Sequence, residues 1–169
     1  MKYLQNGGYN SNPYMRASLL LTVLLLAGFV ITNFLIFFNR MGFSLESIAS
    51  YYLGNEEEYR PARSLQSMLE VTHGHLPMMA LVLLLLTHLA IFAPLSKSAK
   101  YGCIFASFAS GLLSEGSGYL VRFVHPGFAV LKLISFAVLQ ICLIFLLSSL
   151  ALFLIRSWRV STHDSSNDV

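Results

Sequence analysis

The sequence predicts an all-α integral membrane protein, a four-helix bundle with both termini on the cytoplasmic side. Three observations carry that prediction. Of the 169 residues, 56% are hydrophobic and only 11% are charged, against about 25% charged in a typical soluble domain. Four apolar runs have spanning length, because a bilayer core of about 30 Å needs about 20 helical residues. Lysines and arginines are distributed unequally between the two sides of those runs.

Residues 1–16 read as a cytoplasmic segment. Its stretch 2–14 is rich in Asn, Gly and Tyr, and no small-residue cleavage site follows the first apolar run, so that run reads as a retained helix. The first span covers 17–38, bounded by Arg16 and by Asn39 and Arg40. An outer loop, 41–66, follows. Within it Phe43, Leu45, Ile48, Tyr51 and Tyr52 fall at near-helical spacing, and Gly54 is a good helix stop. A short interfacial helix before the acidic turn Glu56-Glu57-Glu58 fits this pattern, with an ordinary solvated loop as the alternative. The second span is 69–93, stopped by Pro94. The third is 101–121, ended by Arg122. The fourth is 126–155, opening on Pro126, a favoured first helical residue. A polar tail, 157–169, closes the chain, and 161–169 is expected to lack order.

Orientation follows from the basic residues. Lys2, Arg16, Lys97, Lys100, Arg156 and Arg159 share one side with no acid close to the spans, while Arg40, Arg60, Arg63 and Arg122 share the other with glutamates. This predicts a cytoplasmic location for both ends and an outward-facing loop, as in a bacterial inner membrane. Nothing suggests nucleic acid: the net charge is +3, with no basic stripe carrying interleaved aromatics. Cys103 and Cys142 both sit in apolar runs, which argues against a disulfide framework or a cysteine zinc site. No repeat, phosphate loop, nucleophile triad or nucleotide fold is visible.

Ionisable and amide side chains inside a bilayer are costly and mark candidate function. Here they are Glu70, His73, His75, His88, Glu115, Lys132 and Gln140, with Arg122 and His125 at a helix junction. The alternating topology gathers most of them at the outer ends of spans two, three and four, leaving His88 nearer the inner side. At 100° per residue, Glu70, His73, Pro77, Leu81, Leu84 and His88 form one stripe. His75 points away from it unless the Gly74–Pro77 break turns it. Phe108, Gly111, Glu115, Gly118, Tyr119 and Arg122 share a stripe on span three, and His125 and Lys132 share a face on span four.

Paired imidazoles at one depth on facing helices suit haem iron, and His125 with His73 meets the depth condition, His73 being favoured because its stripe includes Glu70, with His75 as the alternative. Gly111 and Gly118 would admit a flat macrocycle, Arg122 and Lys132 would pair with propionates, and Glu70 would orient a ligand imidazole. His88, about 22 Å from His73 along a helix, marks a possible second site, but the sequence places no second histidine near the inner face; His163 lies in the tail. In outline the chain resembles a small membrane-bound b-type cytochrome. The resemblance rests on the four-span plan and on His73, His75, His88 and His125, and the missing inner-level pair departs from two-haem members. It implies haem b, electron transfer involving a quinone or a redox partner, and membership of a larger quinone-linked complex rather than a stand-alone enzyme.

Two other readings stand beside this one. His73, His75 and His125 are also a possible copper or zinc site; a di-iron centre would need more carboxylates than Glu70 and Glu115 provide. Alternatively no metal is involved, and Glu70, Glu115, Arg122 and Lys132 form an ion-pair or proton-relay network in a small transporter or accessory subunit. Ser107, Ser110, Gly111, Ser114, Gly116 and Gly118 predict close helix packing, and Met78 and Met79 lipid or core contacts.

Overall fold

The structure, a computed structural model, describes residues 13–57, 59–91 and 95–164, with side chains described from 14 to 155 within those ranges. Glu58, Pro94, Lys2 and the side chains of Arg156, Trp158, Arg159 and His163 therefore lie outside the described residues. The elements are α1 (Pro13–Met41), α2 (Leu45–Leu53), α3 (Leu65–Ala90), α4 (Lys97–Phe123), a 3-10 turn (Pro126–Phe128) and α5 (Ala129–Asp164). The protein is thus all-α, with four long helices and one short one among the described residues.

Helix starts are decided by caps rather than by hydropathy. Ser64 Oγ accepts from the Ser67 amide and Ser96 Oγ from the Ala99 amide. Each satisfies a backbone donor that the first helical turn leaves unpaired. Accordingly α3 begins at Leu65 and α4 at Lys97, each four residues before its apolar run. The predicted interfacial helix is α2, opened by Ser44, whose Oγ accepts from Ser47 N, and closed at Gly54. Gly54 adopts φ +88, and a Cβ there would stand 2.7 Å from both Ala62 N and Arg60 O. Only glycine fits both the conformation and the space. Two expectations need correction at the C-terminal end. Pro126 opens a 3-10 turn rather than α5 itself, and α5 runs on to Asp164, so part of the tail expected to lack order is helical.

Among the described residues three helices are long and apolar enough to cross a membrane: Tyr14–Met41, Leu65–Ala90 and Pro126–Ile155. The remaining long helix, α4, is 27 residues long but too rich in serine, glycine and charge to read as an apolar rod. Its buried face is Ser107, Ser110, Gly111, Ser114, Ser117 and Gly118, set against α5 and α3. Serine hydroxyls on this face bond back to their own helix: Ser107 to Cys103 O at 2.6 Å, Ser110 to Ser107 O and Ser117 to Ser114 O, both at 3.1 Å. Small, internally satisfied side chains let backbones approach closely in lipid. Gly116, by contrast, is exposed.

α5 is the hub and packs against α1, α2, α3 and α4. Leu83, Leu86, Leu143, Leu146, Leu150 and Leu154 form the core on the side away from α2. Phe37, Ile48, Tyr52, Met68, Val121 and Phe136 form a second core beneath α2, with Phe37 and Phe136 stacked at 3.8 Å and 13°. α1 packs on α5 and α2, and among the described residues its backbone does not approach α3. Its outward side chains, including Leu21, Leu24, Leu25 and Leu35, are exposed, as a lipid-facing surface requires.

Candidate functional site

The separation of α1 from α3 leaves a cavity of about 250 Å³ where the two cores meet. α1 forms one wall through Phe29, Asn33, Phe37 and Arg40. α3 forms the opposite wall through Val71, Thr72, His75, Met79 and Val82. Glu115 and Tyr119 of α4 and Lys132, Leu139 and Gln140 of α5 form the floor, and Tyr51 and Tyr52 the roof. Ile36 on α1 and His75 and Met78 on α3 line the cavity yet remain exposed. They mark its mouth, which opens sideways between the two helices.

The floor is polar. Lys132 is 7% exposed, and its Nζ donates to Ser114 O at 2.5 Å and to Ser114 Oγ at 3.5 Å. Gln140 is 2% exposed, and among the described residues its Oε1 has no hydrogen-bond partner. A chain of bonds runs across from α4 to α3. Tyr119 donates to Thr72 Oγ1 at 3.0 Å, Thr72 donates to Glu115 Oε2 at 3.5 Å, and His75 donates through Nδ1 to Glu115 Oε1 at 3.3 Å. That last bond assigns the imidazole proton to Nδ1. Glu115 is thereby held at two oxygens in a space shared with Lys132.

The roof is fastened by backbone and cation contacts. Arg63 N donates to Tyr52 O at 2.9 Å, its guanidinium lies 4.5 Å from the Tyr51 ring centroid, and Arg122 Nε donates to Arg63 O at 2.8 Å. The Tyr52 ring is seated against Gly118, where a Cβ would meet it at 2.9 Å. Burial pushes the Tyr52 phenol far above its ordinary pKa, with Tyr51 and Glu115 adding to the effect.

The sequence-predicted residues separate into those the cavity gathers and those it leaves out. His75, Glu115 and Lys132 line it. Glu70, His73, Pro77, Leu81, Leu84 and His88, expected to form the functional stripe of α3, are all exposed. The reason is helical phase: the inward stripe of α3 is Met68, Thr72, His75, Met79, Leu83 and Leu86, which carries the buried apolar residues. Glu70 accepts from Gln66 Nε2 at 3.1 Å, one turn earlier, rather than orienting His73. His125 caps the 3-10 turn, its Nδ1 accepting from Gly127 N at 3.0 Å. The turn breaks the regular phase between His125 and Lys132, so the first is exposed and the second buried. Arg122 ties down the loop and does not line the cavity. Nor are the glycines free to admit a macrocycle, since Tyr52 fills the space at Gly118 and Met79 that at Gly111. Among the described residues no group of three or more His, Cys, Asp or Glu side chains could hold a metal ion. Thr72 and Ser114 are site residues that ionisable-residue reasoning passes over, and Arg40 and Arg63, read from the sequence only as charges flanking the spans, also line the cavity. The signal for Thr72 is its place three residues before His75 on the apolar stripe.

The chain matches, over residues 42–161, the model of a family described as a transmembrane helical domain. No curated protein and no solved structure matches it. The match takes in α2, α3, α4 and nearly all of α5, the elements that build the cavity's floor, roof and α3 wall, while α1 lies outside it. Since the match covers more than half of the chain and its apolar helices agree with it, this integral membrane protein belongs to the Aq_1264_TM family of transmembrane helical domains.

Proposed function

We propose that this protein binds one amphipathic molecule of the bilayer, which enters between α1 and α3 and seats its polar head on the floor of the cavity. The observation that carries this reading is Gln140: a side chain 2% exposed, lining a cavity, with an unpaired acceptor oxygen. A buried acceptor without a donor costs about 1–3 kcal/mol, and a bound head supplies the donor. The mouth supports the route. Ile36, His75 and Met78 open toward lipid, so an apolar tail stays in the bilayer while the head is held inside. With the α2 end outward, as the basic-residue bias leads us to expect, the cavity would lie in the outer leaflet. The Tyr119–Thr72–Glu115–His75 chain fits the metal-free reading, that of an accessory or transport subunit with a proton-accepting network.

Haem b, copper and zinc find less support. His125 and His73 do not line the cavity with His75, so each reading needs a ligand from elsewhere. The test covers all of them. Purified protein is extracted with organic solvent, and the extract and the intact protein are analysed by mass spectrometry and visible absorption. We expect about one defined lipophilic molecule per chain, depleted at least tenfold in Val82→Trp, which fills the cavity. Equal lipid content in both proteins removes the lipid-binding reading, and a Soret band in the wild type restores haem.

A further inference from the structure

The lining of the cavity carries more positive than negative charge. Arg40 of α1, Arg63 of the loop between α2 and α3, and Lys132 of α5 all line it, against the single carboxylate of Glu115. That carboxylate is already engaged, since Thr72 donates to one oxygen and His75 to the other. Among the described residues its ion-pair partner is His75, and none of the three cations is paired with a carboxylate. The Arg63 guanidinium rests on the Tyr51 ring, and Lys132 Nζ bonds to Ser114. Lys132 is buried, Arg63 half-buried and Arg40 exposed, so positive charge is offered at the rim as well as at the floor. The imbalance does not depend on Lys132. Arginines stay charged at any ordinary pH, and the two guanidiniums alone outnumber Glu115. A cation inside a membrane helix bundle is costly without counter-charge, and a guanidinium fork matches the oxygens of phosphate and carboxylate. Basic pockets between membrane helices hold anionic lipid heads on the same principle. Gln140 fixes where a polar head sits without choosing its charge, because its amide carries both an acceptor oxygen and a donor NH2.

Resting on the lipid-binding reading above, we propose that the head is an oxyanion, a phosphate or carboxylate held among Arg40, Arg63 and Lys132. The occupant is then an anionic amphiphile, with its tail leaving between α1 and α3. A neutral head leaves the excess positive charge unanswered. A zwitterionic head brings a cation of its own to the same surface and gains less. The proposal concerns binding and includes no covalent or redox step.

The test is calorimetric titration of the full chain in phosphatidylcholine nanodiscs, with empty nanodiscs as the blank. Oleyl phosphate, oleate, oleyl phosphocholine and oleyl alcohol share one tail length and differ in the head; inorganic phosphate has no tail. Saturable binding of at least one of the two anionic amphiphiles is expected, about tenfold tighter than the alcohol or the phosphocholine. Arg40→Gln should weaken that binding about fivefold, the worth of one basic group at a membrane surface. Lys97→Gln, at an exposed position outside the cavity, should leave it unchanged. Alcohol or phosphocholine binding as tight as both anions overturns the head assignment. Equal losses in Arg40→Gln and Lys97→Gln overturn it too, since they mean attraction to the surface at large. Arg40 is exposed, and the wild-type comparison of heads decides the matter if a variant fails to fold. Inorganic phosphate binding as tightly as oleyl phosphate overturns the amphiphile, and with it the lipid reading. If no added ligand binds, the lipid that co-purifies with the wild type and is depleted in Val82→Trp decides. An anionic head on that lipid supports the proposal. A neutral or zwitterionic head overturns it and leaves lipid binding standing, and the absence of such a lipid removes both.

Discussion

Lys132 and Gln140 lie about two turns apart on α5, both buried, yet Lys132 Nζ bonds Ser114 whereas Gln140 Oε1 has no partner among the described residues. That contrast gives a stability prediction. In the ligand-free protein, Gln140→Leu removes an unpaired acceptor and should stabilise the fold by about 1–3 kcal/mol, read as a higher thermal midpoint in lipid-free detergent. The same variant should lose stabilisation by added ligand, since a ligand raises the midpoint only through its affinity for the folded state. A lowered midpoint without ligand would mean that Gln140 is satisfied in the fold. At this scale the sequence was only partly readable. Polarity inside apolar runs pointed to Glu115, Lys132, His75 and Gln140, all of which line the cavity. It favoured His73 over His75, because His73 shares a stripe with Glu70 and residues two apart on a helix point to nearly opposite faces. In the fold it is His75 that faces the cavity, on the stripe with buried Met68, Leu83 and Leu86, while His73 is exposed.

Among the elements, α4 departs furthest from a hydropathy view of membrane helices. Its inner face is serine and glycine, and close approach to α5 replaces bulky apolar packing. Ser110→Leu inserts a branched side chain where Ser110 is 4% exposed. Overpacking of this kind costs about 1–3 kcal/mol, so the variant should show a lower midpoint, whereas Leu112→Ala, at an exposed position, should change little. Equal effects would contradict the packing assigned to α4. Four long helices were expected and are present among the described residues, but only α1, α3 and α5 have the hydropathy of a span; α2 was legible from spacing plus Gly54. Helix starts were not, since Ser64 and Ser96 act through backbone donors that hydropathy does not register. The 3-10 turn after His125 was hidden for a related reason: Pro126 suits the first position of either helix type, and only the cap geometry distinguishes them.

At the scale of the whole molecule, the cavity results from how α1 is attached. α2, α3, α4 and α5 make a unit within the family match, and α1 leans on it through α5 and α2, with Phe37 and Phe38 close to Phe136. Because α1 does not close on α3, the polar floor on α4 and α5 is reachable from lipid without crossing water. None of this was visible in the chain, since an interhelical gap depends on which helices avoid each other, and no local pattern encodes that.

Methionines provide the most direct test. Met41, Met68, Met78 and Met79 line the cavity, whereas Met15 does not. With a diazirine analogue of methionine incorporated throughout, membranes are irradiated, the protein is purified and digested, and adduct masses are assigned to each peptide. Binding of one bilayer molecule in the cavity predicts a single lipophilic adduct mass at Met68 and Met79, which face inward, and a mixture of bulk phospholipids at Met15. The same phospholipid mixture at all of these positions would contradict it.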